Sequence, residues 1–299
     1  MVLRESARIR AKAEQKASVK LQNSRLGRFH AFQGYNYIFA CSVLAYLALG
    51  GGGTRSLNSP LRYLEGVYET YVTPADFTGR MERMLLAMYW LSPFTVGITY
   101  IVGRNDVSTV YATFLTMLLA LVMQIRIFFS PIAFILSIVT PVDLGGLVYK
   151  TMLLLDDKKG TLISMKERKF LWNVRALPER NTFQKWQEVQ CYVFASTFIA
   201  SSYMSPRYSF PEFIPTSVYA SSLWQMWLFV QGVTWVGTIA GVRKGRKNAL
   251  LGACVNRVIV CYFMTAGISE GIFPNAFGVS FVWPYAVTLV LDLSIYLLY

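Results

Sequence analysis

The chain alternates apolar stretches of about bilayer length with short polar interruptions, and no stretch shows the period-two alternation of a half-buried strand. A helix crosses a hydrocarbon core with about 20 predominantly apolar residues. The first such stretch covers residues 31–50 and stops at Gly50, Gly51, Gly52 and Gly53, where a helix has little reason to continue. A second covers 84–103 and ends in the polar turn Arg104, Asn105, Asp106. Residues 108–155 are almost continuously apolar, interrupted by Arg126, Ser130, Pro131, Thr140, Pro141, Asp143 and Lys150. They read either as one crossing with a half-span, or as two crossings at 108–129 and 131–155 with Pro131 in the hairpin and Pro141 kinking the returning helix. Four more stretches follow at 189–205, 216–242, 249–269 and 279–299. The expected fold is all-α, a polytopic membrane helix bundle of about eight spans, with seven as the other count.

Charge decides between the two counts. Residues 1–30 carry Arg4, Arg8, Arg10, Lys12, Lys16, Lys20, Arg25 and Arg28 against Glu5 and Glu14, and read as a basic helix outside the bilayer. Basic residues gather again in 156–187 and in the loop Arg243, Lys244, Gly245, Arg246, Lys247. Two crossings within 108–155 put all three blocks on one side, as the positive-inside bias requires; a single crossing would not. The expected organisation is therefore a basic segment 1–30, a four-span group 31–155, a basic extramembrane segment 156–187 and a four-span group 188–299, with both termini on the basic side. Trp90, Trp172, Trp186, Trp283 and Tyr299 fall near the span ends, where aromatic residues anchor at interfaces.

Composition agrees with this pattern. The chain is 54% hydrophobic and 15% charged, where a soluble domain has about a quarter charged residues. Its single histidine, His30, excludes bis-histidine haem ligation and a His-based zinc site within this chain. Cys41, Cys191, Cys254 and Cys261 form no Cys-x-x-Cys pair, lie in apolar segments, and are expected as buried free thiols. No cofactor is implied.

The candidate chemistry is confined to a few polar residues inside the spans. Arg257 lies eight residues into its span and Asp292 seven from the end of the last one. At 1.5 Å per residue both sit about 10–12 Å from the basic face, so adjacent antiparallel helices would pair them, with Asn256 and Ser294 completing the hydrogen bonding. Arg126 lies four residues from the turn at Ser130 and is expected to snorkel to the headgroups. Gly237 and Gly241 have a spacing that admits a close helix approach. Lys158, Lys159, Lys166, Arg168, Lys169, Arg243, Lys244, Arg246 and Lys247 flank spans and are expected to contact an anionic phospholipid such as cardiolipin rather than nucleic acid.

An Arg in the penultimate span with an acid in the last distantly resembles the proton-conducting subunit of rotary ATP synthases. That family follows its Arg with Leu, whereas Arg257 leads into Val258, Ile259, Val260 and Cys261, so the role is not carried over. Ser269-Glu270-Gly271 and Asp292-Leu293-Ser294 resemble the last two helices of microbial rhodopsins. Tyr296 stands where their retinal-binding lysine would be, which removes the Schiff base that light-driven function needs.

No phosphate loop, His-acid pair or metal spacing accompanies these residues, so the expectation is a non-enzyme. The reading is an accessory subunit of a large energy-transducing membrane complex, a respiratory chain complex or ATP synthase, that braces neighbouring subunits and binds lipid. Its Arg-rich start resembles a mitochondrial transit peptide retained in the protein, and with the net charge of +13 points to the mitochondrial inner membrane with both termini in the matrix. The alternative is an independent channel or carrier that uses an Arg257/Asp292 polar layer.

Overall fold

The structure is a computed structural model and describes residues 24–49, 79–104, 107–156, 181–244 and 248–298. Among them there is no strand, and the long helices are α1 (Arg25–Ala48), α2 (Arg80–Val102), α3 (Val107–Phe128), α4 (Leu136–Asp156), α5 (Thr182–Tyr203), α6 (Val218–Lys244), α7 (Asn248–Ser269) and α8 (Trp283–Leu298). The fold is all-helical, as expected. Among the described residues three stretches, Arg80–Val102, Leu250–Ser269 and Gly278–Leu298, are long and apolar enough to cross a membrane, where eight crossings were expected of the whole chain. Gln184, Lys185, Gln187, Glu188 and Gln190 make α5 less apolar than these.

Local signals explain several helix ends. Ser24 starts α1 by accepting the Gly27 N–H on its hydroxyl at 3.0 Å. Asn181 starts α5 with a capping box: its side chain accepts from Gln184 N at 2.8 Å, and the Gln184 side chain accepts from Asn181 N at 3.2 Å. Both helices begin earlier than the apolar stretches at 31 and 189, because capping rather than hydropathy sets a helix start. Between α3 and α4 the Ser130 N–H and hydroxyl both donate to Ile127 O, placing Pro131 in a tight hairpin as the sequence suggested.

Packing gives the helices alternating directions. His30 and Gly34 meet Tyr100 and Gly97, so α1 and α2 are antiparallel. Phe29 and Tyr37 meet Tyr149 and Asp143, which makes α1 and α4 antiparallel as well. The same reasoning applies to α5 with α8, where Gln187 meets Asp292 and Phe198 meets Phe281. It also makes α7 antiparallel to α8, with Arg257 against Asp292 and Cys261 against Val282. In contrast, α2 and α6 run parallel: Glu82 meets Thr216, and Ser92 meets Gln231.

Helices α1 and α2 approach closely where Gly34 meets Gly97. A Cβ added at Gly34 would lie 2.8 Å from Gly97 O, and one added at Gly97 would lie 2.7 Å from Gly34 O. Both obstacles are backbone atoms that a rotamer change cannot move. Gly34→Ala is therefore expected to lower stability by about 1–3 kcal/mol through overpacking, read as a lowered melting temperature of the purified protein. An unchanged melting temperature would show that the two backbones are not held this close.

The main core joins α2, α5, α6, α7 and the turns next to them. Trp224, Trp227, Phe213, Phe277 and Phe281 meet there. Trp90 belongs to this core at 1% exposure, which corrects the expectation of an interfacial anchor: its face of α2 is covered by neighbouring helices. Trp186 and Trp283 are exposed, as anchors would be, while Trp172 and Tyr299 lie outside the described residues.

Candidate functional site

Buried polar groups interrupt the apolar interior of the described residues at several places, and two clusters of them each join four or more helices. The first is built around Arg257 on α7 and Asp292 on α8, brought together as the matched depths implied. Arg257 Nε lies 3.0 Å from Asp292 Oδ2, and both side chains are fully enclosed. The Nε–H donates to Thr288 Oγ1 at 3.2 Å, Nη1 donates to Ala253 O at 2.9 Å, and the guanidinium sits 4.0 Å above the Trp235 ring. Gln187 on α5 donates its amide to Asp292 Oδ1. The charge is thus surrounded by a carboxylate, a hydroxyl, a carbonyl and an aromatic face from three helices, partners of the kind a desolvated ion pair needs to be tolerated.

The neutral partners differ from those expected. Asn256 points instead to Gln231 on α6, with Asn256 Nδ2 donating to Gln231 Oε1 at 2.8 Å, and Ser294 donates to Val290 O one turn back on its own helix. Residue 256 lies about 100° around α7 from Arg257, so it faces a different neighbour. From there the polar chain continues: Tyr285 OH donates to Gln231 Oε1 at 2.9 Å, Trp235 Nε1 donates to Tyr285 OH at 3.3 Å, and Gln231 Nε2 donates to Ser92 Oγ at 3.4 Å. Side chains from α2, α5, α6, α7 and α8 are therefore tied by one polar layer.

The second cluster has no counterpart among the expected site residues. It lies where α1, α2, α3 and α4 meet. Tyr37 donates to Asp143 Oδ1 at 2.5 Å and Gln124 Nε2 donates to Asp143 Oδ2 at 2.8 Å, so both carboxylate oxygens are occupied. Two helical turns along α4, Lys150 is 1% exposed with its Nζ 4.1 Å over the Tyr100 ring and 3.7 Å from Met117 Sδ. His30 stacks on the same ring at 4.4 Å. The sequence signal was available: His30, Asp143 and Lys150 are ionisable residues at or within apolar stretches, which alone marks them for attention.

An apolar cavity of about 150 Å³ adjoins this cluster, with Tyr37, Cys41, Trp90, Tyr100, Met117 and Asp143 among its walls. Elsewhere, Arg126, half-buried beside the turn at Ser130, finds partners within the protein. It donates to the Ser202 carbonyl, to Ser202 Oγ at 3.1 Å and to Gln225 Oε1 at 3.4 Å, and its guanidinium covers the Tyr203 ring at 4.4 Å. Carbonyls in the last turn of a helix lack intrahelical donors, so the end of α5 offers this cation a partner inside the protein.

Lys158, Lys159, Lys166, Arg168, Lys169, Arg246 and Lys247 lie outside the described residues, and Arg243 and Lys244 are placed only as the end of α6. Cys41, Cys191, Cys254 and Cys261 are free thiols. Among the described residues no three His, Cys, Asp or Glu side chains gather as metal ligands would. No protein-family model matches the chain, and neither the curated proteins nor the solved structures contain a significant match to it.

Proposed function

We propose that this chain is a non-catalytic membrane subunit of a large energy-transducing complex, a respiratory chain complex or ATP synthase, bracing neighbouring subunits and holding anionic lipid on its basic side. The observation that carries this reading is the complete enclosure of Arg257 and Asp292. A layer that moved ions would have to expose its charges to water in turn, whereas this one is linked across helices by neutral hydrogen-bond partners, as a brace is. The alternating helix directions support a bundle of eight crossings with both termini on the basic side. Exposed apolar side chains such as Phe39, Phe128, Phe129 and Leu297 suit contact with lipid or with apolar faces of partners. The Arg-rich start and the net charge of +13 favour the mitochondrial inner membrane, basic side to the matrix, with cardiolipin as the anionic lipid.

Mild-detergent extraction from native membranes, followed by native gel separation and mass spectrometry, tests this directly. The chain is expected to migrate at many times its 33.9 kDa mass together with respiratory or ATP synthase subunits. Migration as a monomer or small homo-oligomer, free of such partners, would overturn the proposal and favour an independent channel or carrier.

A further inference from the structure

The cluster at Lys150 contains polar groups that the described residues meet only weakly. Among the described residues Lys150 Nζ has no carboxylate partner; its contacts are the thioether of Met117 and the face of Tyr100. His30 is fully buried, and neither ring nitrogen has a hydrogen-bond partner. Gln33 is 3% exposed, its Oε1 is without a partner, and its Nε2 reaches only Met117 Sδ at 3.9 Å. Three buried side chains thus converge around Tyr100 and Met117 while making only weak contacts. Buried polar groups are ordinarily satisfied, and a buried ammonium especially so.

What separates this cluster from the apolar cavity is a thin wall. Tyr100 and Met117 line the cavity on one side and meet Lys150 on the other. Met117 is an unbranched thioether that changes shape readily. Moving it aside would exchange two weak sulfur contacts for charge-assisted hydrogen bonds from Lys150 and a donor from His30 or Gln33. The cavity itself, walled by side chains such as Leu44, Val96, Ala120, Val139 and Phe229, is apolar and about half open, so the end of a chain longer than it holds extends outward.

We propose that this region binds an apolar monocarboxylate of the fatty-acid class, its acidic head on Lys150, His30 and Gln33 and its chain in the adjoining cavity. Asp143 sets the polarity of the site. It lies seven residues from Lys150, about 10 Å along α4, and its charge keeps an anionic head at the Lys150 end. Its own oxygens are already held by Tyr37 and Gln124, so it does not compete for the amine.

The test is displaceable binding of radiolabelled decanoate to the full chain in lipid nanodiscs, compared with decanol and acetate. Decanoate is expected to bind saturably at one per chain, decanol at least tenfold more weakly, and acetate not detectably. Lys150→Met, which places an apolar chain of similar length beside Met117, is expected to weaken decanoate at least tenfold without lowering the melting temperature. Equal binding of decanol, equal competition by acetate, or undiminished binding by Lys150→Met would overturn the proposal. If Lys150→Met does not fold, Ala120→Phe fills the cavity and leaves the polar cluster intact. That variant is expected to lose decanoate, and retained binding would overturn the proposal equally.

Discussion

Arg257→Met is expected to destabilise the protein by about 3–5 kcal/mol, and Asp292→Leu by a similar amount, because each leaves the other charge buried without its counter-ion. Thr288, Gln187 and the Trp235 face remain as neutral partners but cannot offset a full charge at zero exposure. The double variant Arg257→Met/Asp292→Leu removes both charges and is expected to recover most of the loss, giving a coupling energy of about 2 kcal/mol or more between the sites. Thermal unfolding of the four proteins in one detergent, followed by tryptophan fluorescence, measures this. Single variants within 1 kcal/mol of the parent, or losses that simply add, would show that the pair does not brace α7 against α8. The double variant also separates the two functional readings. A brace predicts changed assembly or stability only, whereas a channel or carrier predicts lost ion flux in proteoliposomes from a protein that still folds.

Trp224→Ala is the other change expected to cost about 3–5 kcal/mol. Trp224 is fully buried, stacks on Phe277 at 5.1 Å and 12°, and meets Phe213 at 4.5 Å and Trp227 at 5.2 Å. Phe213 belongs to the connection between α5 and α6, and Phe277 to the one between α7 and α8. One indole therefore fastens two connections to the end of α6. The loss comes from dispersion contacts and the cavity left behind. The Trp224 indole N–H has no partner among the described residues, so Trp224→Phe forfeits only volume and is expected to cost less than about 1.5 kcal/mol. Chemical denaturation of the three proteins checks the ranking. Equal losses for Phe and Ala would mean that the ring packing is not what holds the connections.

The ion pair shows how far the sequence carried the site. Matched depth in the last two stretches was enough to join Arg257 and Asp292, because antiparallel neighbours place equal distances from one face side by side. It was not enough to choose Gln187 and Thr288 over Asn256 and Ser294. Gln187 comes from a helix more than a hundred positions away, and Asn256 is turned toward Gln231 by its own place on α7. For a related reason the distance of Arg126 from the turn could not reveal its acceptors at Ser202, which come from a different helix. His30 and Lys150 were visible as polar interruptions, yet nothing along the chain places them on opposite contacts of one tyrosine.

By itself the sequence determined the all-helical class, the order of the helices, the hairpin at Ser130 and Pro131 and the free state of the cysteines. These depend on local hydropathy, on turn chemistry and on spacing, all of which act within a few residues. Only the tertiary structure decided which face of each helix is inside, that Trp90 lies in the core, that Gly34 and Gly97 touch, and that Lys150 is buried with no acid beside it among the described residues. The physical reason is that these helices are apolar on most sides. A helix in a soluble core announces its buried face by a polar stripe opposite, whereas here packing shape and a few hydrogen bonds between distant helices make the choice.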